Sequence, residues 1–111
     1  MDKELTRTHY IMIYVTSFIP MVMALIMFPS LPDPMPAHFG LSGDVTRWGS
    51  RYEIFLLPVI SAVMGVFMAY VTKFSAKKDD HAGWMMFLVS MVTSVIFIAV
   101  TAFILYMVLS A

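Results

Sequence analysis

Three long apolar runs alternate with short polar ones along this chain, and that alternation predicts its architecture. No charged residue occurs from Tyr10 to Phe28, from Ile54 to Thr72, or from Trp84 to Ala111. At ~1.5 Å rise per residue each of the first two runs reaches ~28 Å, about the thickness of a hydrocarbon core. The third is longer than one crossing requires, which predicts tilt or a protruding end. The expected fold class is all-α: a polytopic integral membrane protein with three transmembrane helices, at about 10–28, 54–72 and 84–109, in a single membrane domain over 1–111. A cleaved signal peptide is the competing reading of the first run. It fits less well, because the usual apolar region is ~7–15 residues and no small-residue cleavage pattern follows here.

The polar stretches are of two kinds. Residues 29–51, PSLPDPMPAHFGLSGDVTRWGSR, begin with Pro29, Pro32, Pro34 and Pro36 and continue with Gly40, Gly43 and Gly49. Proline fixes φ and biases its predecessor toward extended backbone, so the expectation is a stiff, polyproline-like ledge followed by sharp turns. Such a structured Pro/Gly-rich loop would join the first two helices. The second connection, 73–83, is a short hydrophilic stretch holding Lys73, Lys77, Lys78, Asp79, Asp80 and His81, with Asp80 the expected N-cap of the third helix. Ser50 and Glu53 have capping-box spacing at the start of the second helix. Pro20, inside the first, predicts a bend supported by a neighbour or by Thr16.

Composition agrees with the membrane reading, since 60% of the residues are hydrophobic, above the ~45–50% of soluble domains. Basic and acidic residues cancel at seven each, so no long-range field points to nucleic acid. Without cysteine there is neither a disulfide nor a thiolate site. Lys3, Arg7, Lys73, Lys77 and Lys78 flank one side of the expected helices, and only Arg47 and Arg51 the other. The excess predicts a multi-pass protein of the cell membrane, N-terminus cytoplasmic, with the 29–51 loop and the C-terminus extracytoplasmic.

Small residues at four-residue spacing mark helix contacts, because close backbone approach drives packing in lipid. Ser61, Gly65 and Ala69 form such a seam on the second helix, facing Thr16, Pro20 and Ala24 of the first or Ser90, Ser94 and Thr101 of the third. Plain intramolecular packing is the simplest use of these positions; a ligand path or a dimer seam is the alternative.

Within 29–51, the order Leu31-Pro32-Asp33, Pro36, His38-Phe39, Gly43, Arg47-Trp48-Gly49-Ser50-Arg51 and Pro58 resembles the signature of the DUF1648 domain, a small bacterial and archaeal membrane domain also found in immunity proteins of the SdpI type. The resemblance covers about the first two thirds of the chain. Where family members often carry an Asp three residues after the glycine, this chain has Thr46. The resemblance implies a non-enzymatic sensor or immunity-type protein that binds an exported peptide or other partner through the loop. Asp33, His38, Phe39, Asp44, Arg47 and Trp48 are the candidate contacts.

The residues themselves leave other roles open. His38 can donate, accept, titrate or bind metal, yet its simplest role is to lock the loop, with Asp33 accepting from its ring and Asp44 capping amides or pairing with Arg47 or Arg51. His9 and His81 fall on the side opposite His38, and the spacing of Asp33, His38 and Asp44 matches no familiar ligand set, so no metal or other cofactor is expected. The twelve methionines are read as flexible core packing rather than a copper(I) path. With no charge inside any run, neither an intramembrane proton relay nor an enzyme is expected. The alternative function is a structural or assembly subunit, pairing with itself or with a larger membrane protein such as a transporter. The lipid bilayer is a partner in either case.

Overall fold

The computed structural model describes residues 5–42 and 44–110, the side chains of residues 37 and 39 apart. Three long helices form it: α1 (Arg7–Met27), α2 (Leu56–Lys78) and α3 (Asp80–Ser110). Each contains a stretch long and apolar enough to cross a membrane, so this is a multi-pass membrane protein. The outward faces are apolar, as at Ile26, Val63 and Phe103, because lipid replaces water around them.

The segment between α1 and α2 folds as more than a polyproline ledge. A 3-10 turn at Phe28–Ser30 ends α1, and a second, Arg51–Phe55, leads into α2. Between them β1 (Met35–Phe39) and β2 (Val45–Gly49) pair antiparallel, matching Met35 with Gly49, Pro36 with Trp48, His38 with Arg47 and Phe39 with Val45. Val45, Thr46 and Trp48 are strand formers, and a two-stranded ribbon tolerates Pro36 because both its strands are edges. The Gly40 N–H donates to the Asp44 carbonyl at 2.7 Å and closes the hairpin link. The peptide bond between Asp33 and Pro34 is cis.

The hydrophilic connection is shorter than its charges suggest. α2 runs on through Lys78, whose basic end suits the negative pole of the helix dipole, and only Asp79 separates it from α3. Asp79 rather than Asp80 caps α3: its backbone is extended and its Oδ1 accepts from the His81 N–H at 3.3 Å. Gly83 makes this sharp reversal possible, since a Cβ there would lie 2.7 Å from the Ala76 Cα. At ~1.5 Å per residue the 31 residues of α3 span ~46 Å, most of the molecule's 50 Å long axis.

Packing is graded along that axis. At one end Ile13, Ala69 and Phe87 form a core, and His9 sets its ring edge-on to Trp84 and Phe87, with centroids 5.6 and 4.9 Å away. His9 also terminates α1, its Nδ1 accepting from the Thr6 N–H at 3.0 Å. In the middle the contacts are small and polar. The Ser61 hydroxyl donates to the Ser17 carbonyl at 2.8 Å, Gly65 abuts Ser17, and Thr72 and Ser90 share a hydrogen bond at 3.3 Å. Ser17 therefore faces α2 with Pro20 and Ala24, where Thr16 was the expected partner. One position further round, the Thr16 hydroxyl donates to the Met12 carbonyl at 2.7 Å and meets the Met91 sulfur. At the far end Ala24, Leu31, Met35, Ile54, Leu105 and Val108 are buried together, which ties β1 to α1, to α3 and to the 3-10 turn that leads into α2.

Candidate functional site

The hairpin is a platform fastened to the helix ends. Leu31 and Met35 sink into the far-end core at 4% and 3% exposure and Pro36 is buried with them, while His38 is exposed. A second fastening is ionic. Arg47 Nη2, on β2, donates to Glu53 Oε1 in the 3-10 turn before α2. Glu53 precedes the charge-free run that crosses the membrane. Its carboxyl is held below the ordinary value of 4.5, chiefly by the Arg47 hydrogen bond, which outweighs the opposing desolvation with help from the Arg47 charge, the Ser50 amide and His38.

The candidate residues separate into those brought together and those left apart. His38 and Arg47 stand opposite each other across the ribbon, and both are exposed. Trp48 is 55% exposed beside them, as an aromatic at a membrane–water boundary would be. Asp33 lies outside the ribbon, ahead of β1, and is exposed. Asp44 pairs with neither arginine; its Oδ2 accepts from the Ser42 hydroxyl at 2.8 Å, a local bond within the link. Arg51 stacks on the Phe28 ring, its guanidinium carbon 4.7 Å from the centroid, near Tyr52 at 6.0 Å. The proposed contact through the Phe39 side chain and the Gly43 position of the motif lie outside the described residues.

In the sequence Glu53 stands out only as half of a capping box. The Ser50 hydroxyl does cap, accepting from the Tyr52 N–H at 3.2 Å, but the Glu53 carboxylate is directed to Arg47. A charged partner six residues away becomes visible only once the chain doubles back. Beneath this rim a groove of about 450 Å³ opens between the ribbon and the helices, floored by Leu57, Ile60 and Ile104. Its size falls in the range of small-ligand sites, ~300–1,000 Å³, and its lining is mostly apolar with a few convergent polar groups. Ile104 comes from α3, far away in the chain, and no motif announced it.

The three histidines occupy separate places: His9 and His81 at the end where α3 begins, His38 on the ribbon. Among the described residues no three His, Asp or Glu groups come together as a metal site would need. The seam residues Ser61, Gly65 and Ala69 are buried within one chain.

Comparison with known proteins bears on this segment. Residues 15–62 match the model of the family described as Domain of unknown function (DUF1648). An uncharacterized protein of Archaeoglobus fulgidus is 32% identical over 71 residues, 64% of this chain, and the match spans only 37% of that protein's length. No solved structure matches. The ribbon, its two flanking turns and the seam between Ser17 and Ser61 all fall inside residues 15–62, the stretch that matches the DUF1648 model.

Proposed function

We propose that this is a non-enzymatic membrane protein of the sensor or immunity type, which receives an exported amphipathic peptide on the ribbon. One observation carries the reading: the polar and aromatic side chains of His38, Arg47 and Trp48 are held exposed on a ribbon fixed at both ends, by Met35 in the core and by Arg47 on Glu53. A partner meeting a preformed surface has little ordering entropy to overcome. The resemblance to SdpI-type immunity proteins supports the peptide as partner. The Lys/Arg distribution supports an N-terminus in the cytoplasm, with the ribbon and the C-terminus outside. The alternative of a homo-oligomer joined through Ser61, Gly65 and Ala69 loses that surface, because α1 already covers it.

The test is photo-crosslinking from position 48 in native membranes, with mass spectrometry of the adducts. The expected result is an exported peptide or a specific extracytoplasmic protein whose adduct is lost in His38→Ala while the protein still accumulates. Adducts to lipid alone, or to a second copy of the chain, would overturn the reading.

A further inference from the structure

We infer that the groove under the ribbon holds the acyl chain of one membrane phospholipid, its headgroup seated on His38, Arg47 and Glu53. The floor residues Leu57 and Ile60 belong to α2 and Ile104 to α3, helices that cross the membrane, so the groove continues the lipid-facing surface rather than a water-filled one. Ile60 is 43% exposed, which leaves the groove open sideways to the bilayer. Water along the apolar floor, away from the polar rim, would lack the two to four polar partners it needs, whereas a hydrocarbon chain loses nothing on entering.

The rim selects the headgroup. Arg47 and Glu53 lie side by side and together carry no net charge, so a net-anionic headgroup gains little from them. A zwitterion gains at both ends: its phosphate accepts from the Arg47 guanidinium and the His38 ring, and its ammonium donates to Glu53. The expected occupant is phosphatidylethanolamine, in preference to phosphatidylglycerol. This assignment rests on the groove and its rim rather than on the peptide proposed above, which would share His38 and Arg47 with the headgroup.

Native mass spectrometry of the full chain, released from mild detergent after incubation with equal amounts of the two lipids, tests it. One retained phosphatidylethanolamine per chain is expected. Ile60→Trp fills the groove and should reduce retention about tenfold, while Val63→Trp, also lipid-facing but outside the groove, should leave it unchanged. Arg47→Gln should weaken retention by about the same factor, the cost of one charge-assisted hydrogen bond. Should Ile60→Trp fail to fold, Ile104→Phe blocks the same groove from another helix. Equal retention by the groove-filling variants and the unmodified chain would overturn the site, as would equal loss in Val63→Trp. Equal retention of the two lipids would overturn the headgroup assignment.

Discussion

Ser61 of α2 donates its hydroxyl to the backbone carbonyl of Ser17 on α1, across a contact so close that Gly65, one turn further along α2, has no room for a side chain. Pro20 lies on the same face of α1, where its ring has no N–H to offer the turn before it. Hydroxyl-to-carbonyl bonding and a glycine hold the two helices together here, as expected in lipid, where burying apolar surface contributes little.

Gly65→Ala is therefore expected to destabilise the helix pair by ~1–3 kcal/mol, the usual effect of overpacking. Thermal unfolding in detergent checks this. Adding Ser17→Gly removes both atoms that the new methyl meets, and should recover part of the loss. Ser61→Ala should cost less, ~0.6 kcal/mol, since interhelical hydrogen bonds in membranes are weak on average.

Gly83→Ala should be worse than Gly65→Ala. At Gly65 the obstructing atoms belong to the Ser17 side chain, but at Gly83 they include the Ala76 Cα and N, which move only if the α2–α3 reversal opens. The same unfolding measurement ranks the two. Equal effects would show that the single-residue connection at Asp79 is more compliant than its geometry implies.

The Arg47–Glu53 pair gives the ribbon an acid limit. The Glu53 carboxyl is depressed in the folded protein, so its contribution is fully present above the unfolded value near 4.5 and is lost as pH falls through the lower folded value. Trp48 fluorescence should be steady from pH 7 down to about 5 and change below about 4.5 as the ribbon loosens. In Glu53→Gln that acid transition should be absent.

His9 has two tasks, accepting from the Thr6 N–H and packing its ring against Trp84 and Phe87. His9→Ala removes both and should cost ~1–2 kcal/mol. His9→Asn keeps a side-chain acceptor without the ring and should fall between. Trp84 emission, read alongside unfolding, separates loss of ring packing from loss of the cap.

The motif around His38 stood out in the sequence, but what it builds did not. Prolines at 29, 32, 34 and 36 suggest an extended ledge, but Pro29 lies in the 3-10 turn that ends α1, the bond before Pro34 is cis, and of the four only Pro36 lies in a strand. Strand pairing depends on Val45–Gly49 returning alongside, a contact between segments that local preferences leave open. Asp44 and Arg47 have the charges and spacing of a pair, yet each finds another partner, Ser42 and Glu53, once the ribbon turns.

The sequence by itself determined the three crossings, because a charge-free run of about bilayer length has no stable place in water and a helix is the form that satisfies its backbone in lipid. It also determined that small residues at 61, 65 and 69 line a helix contact, since that spacing keeps them on one face. The tertiary structure alone decided that Ser17 rather than Thr16 meets them, that Glu53 holds Arg47, and that Ile104 reaches the groove. One step along a helix is a rotation of about 100°. Which residue touches a neighbour is therefore set by how the helices are rotated and shifted against one another, and that is a property of their joint packing.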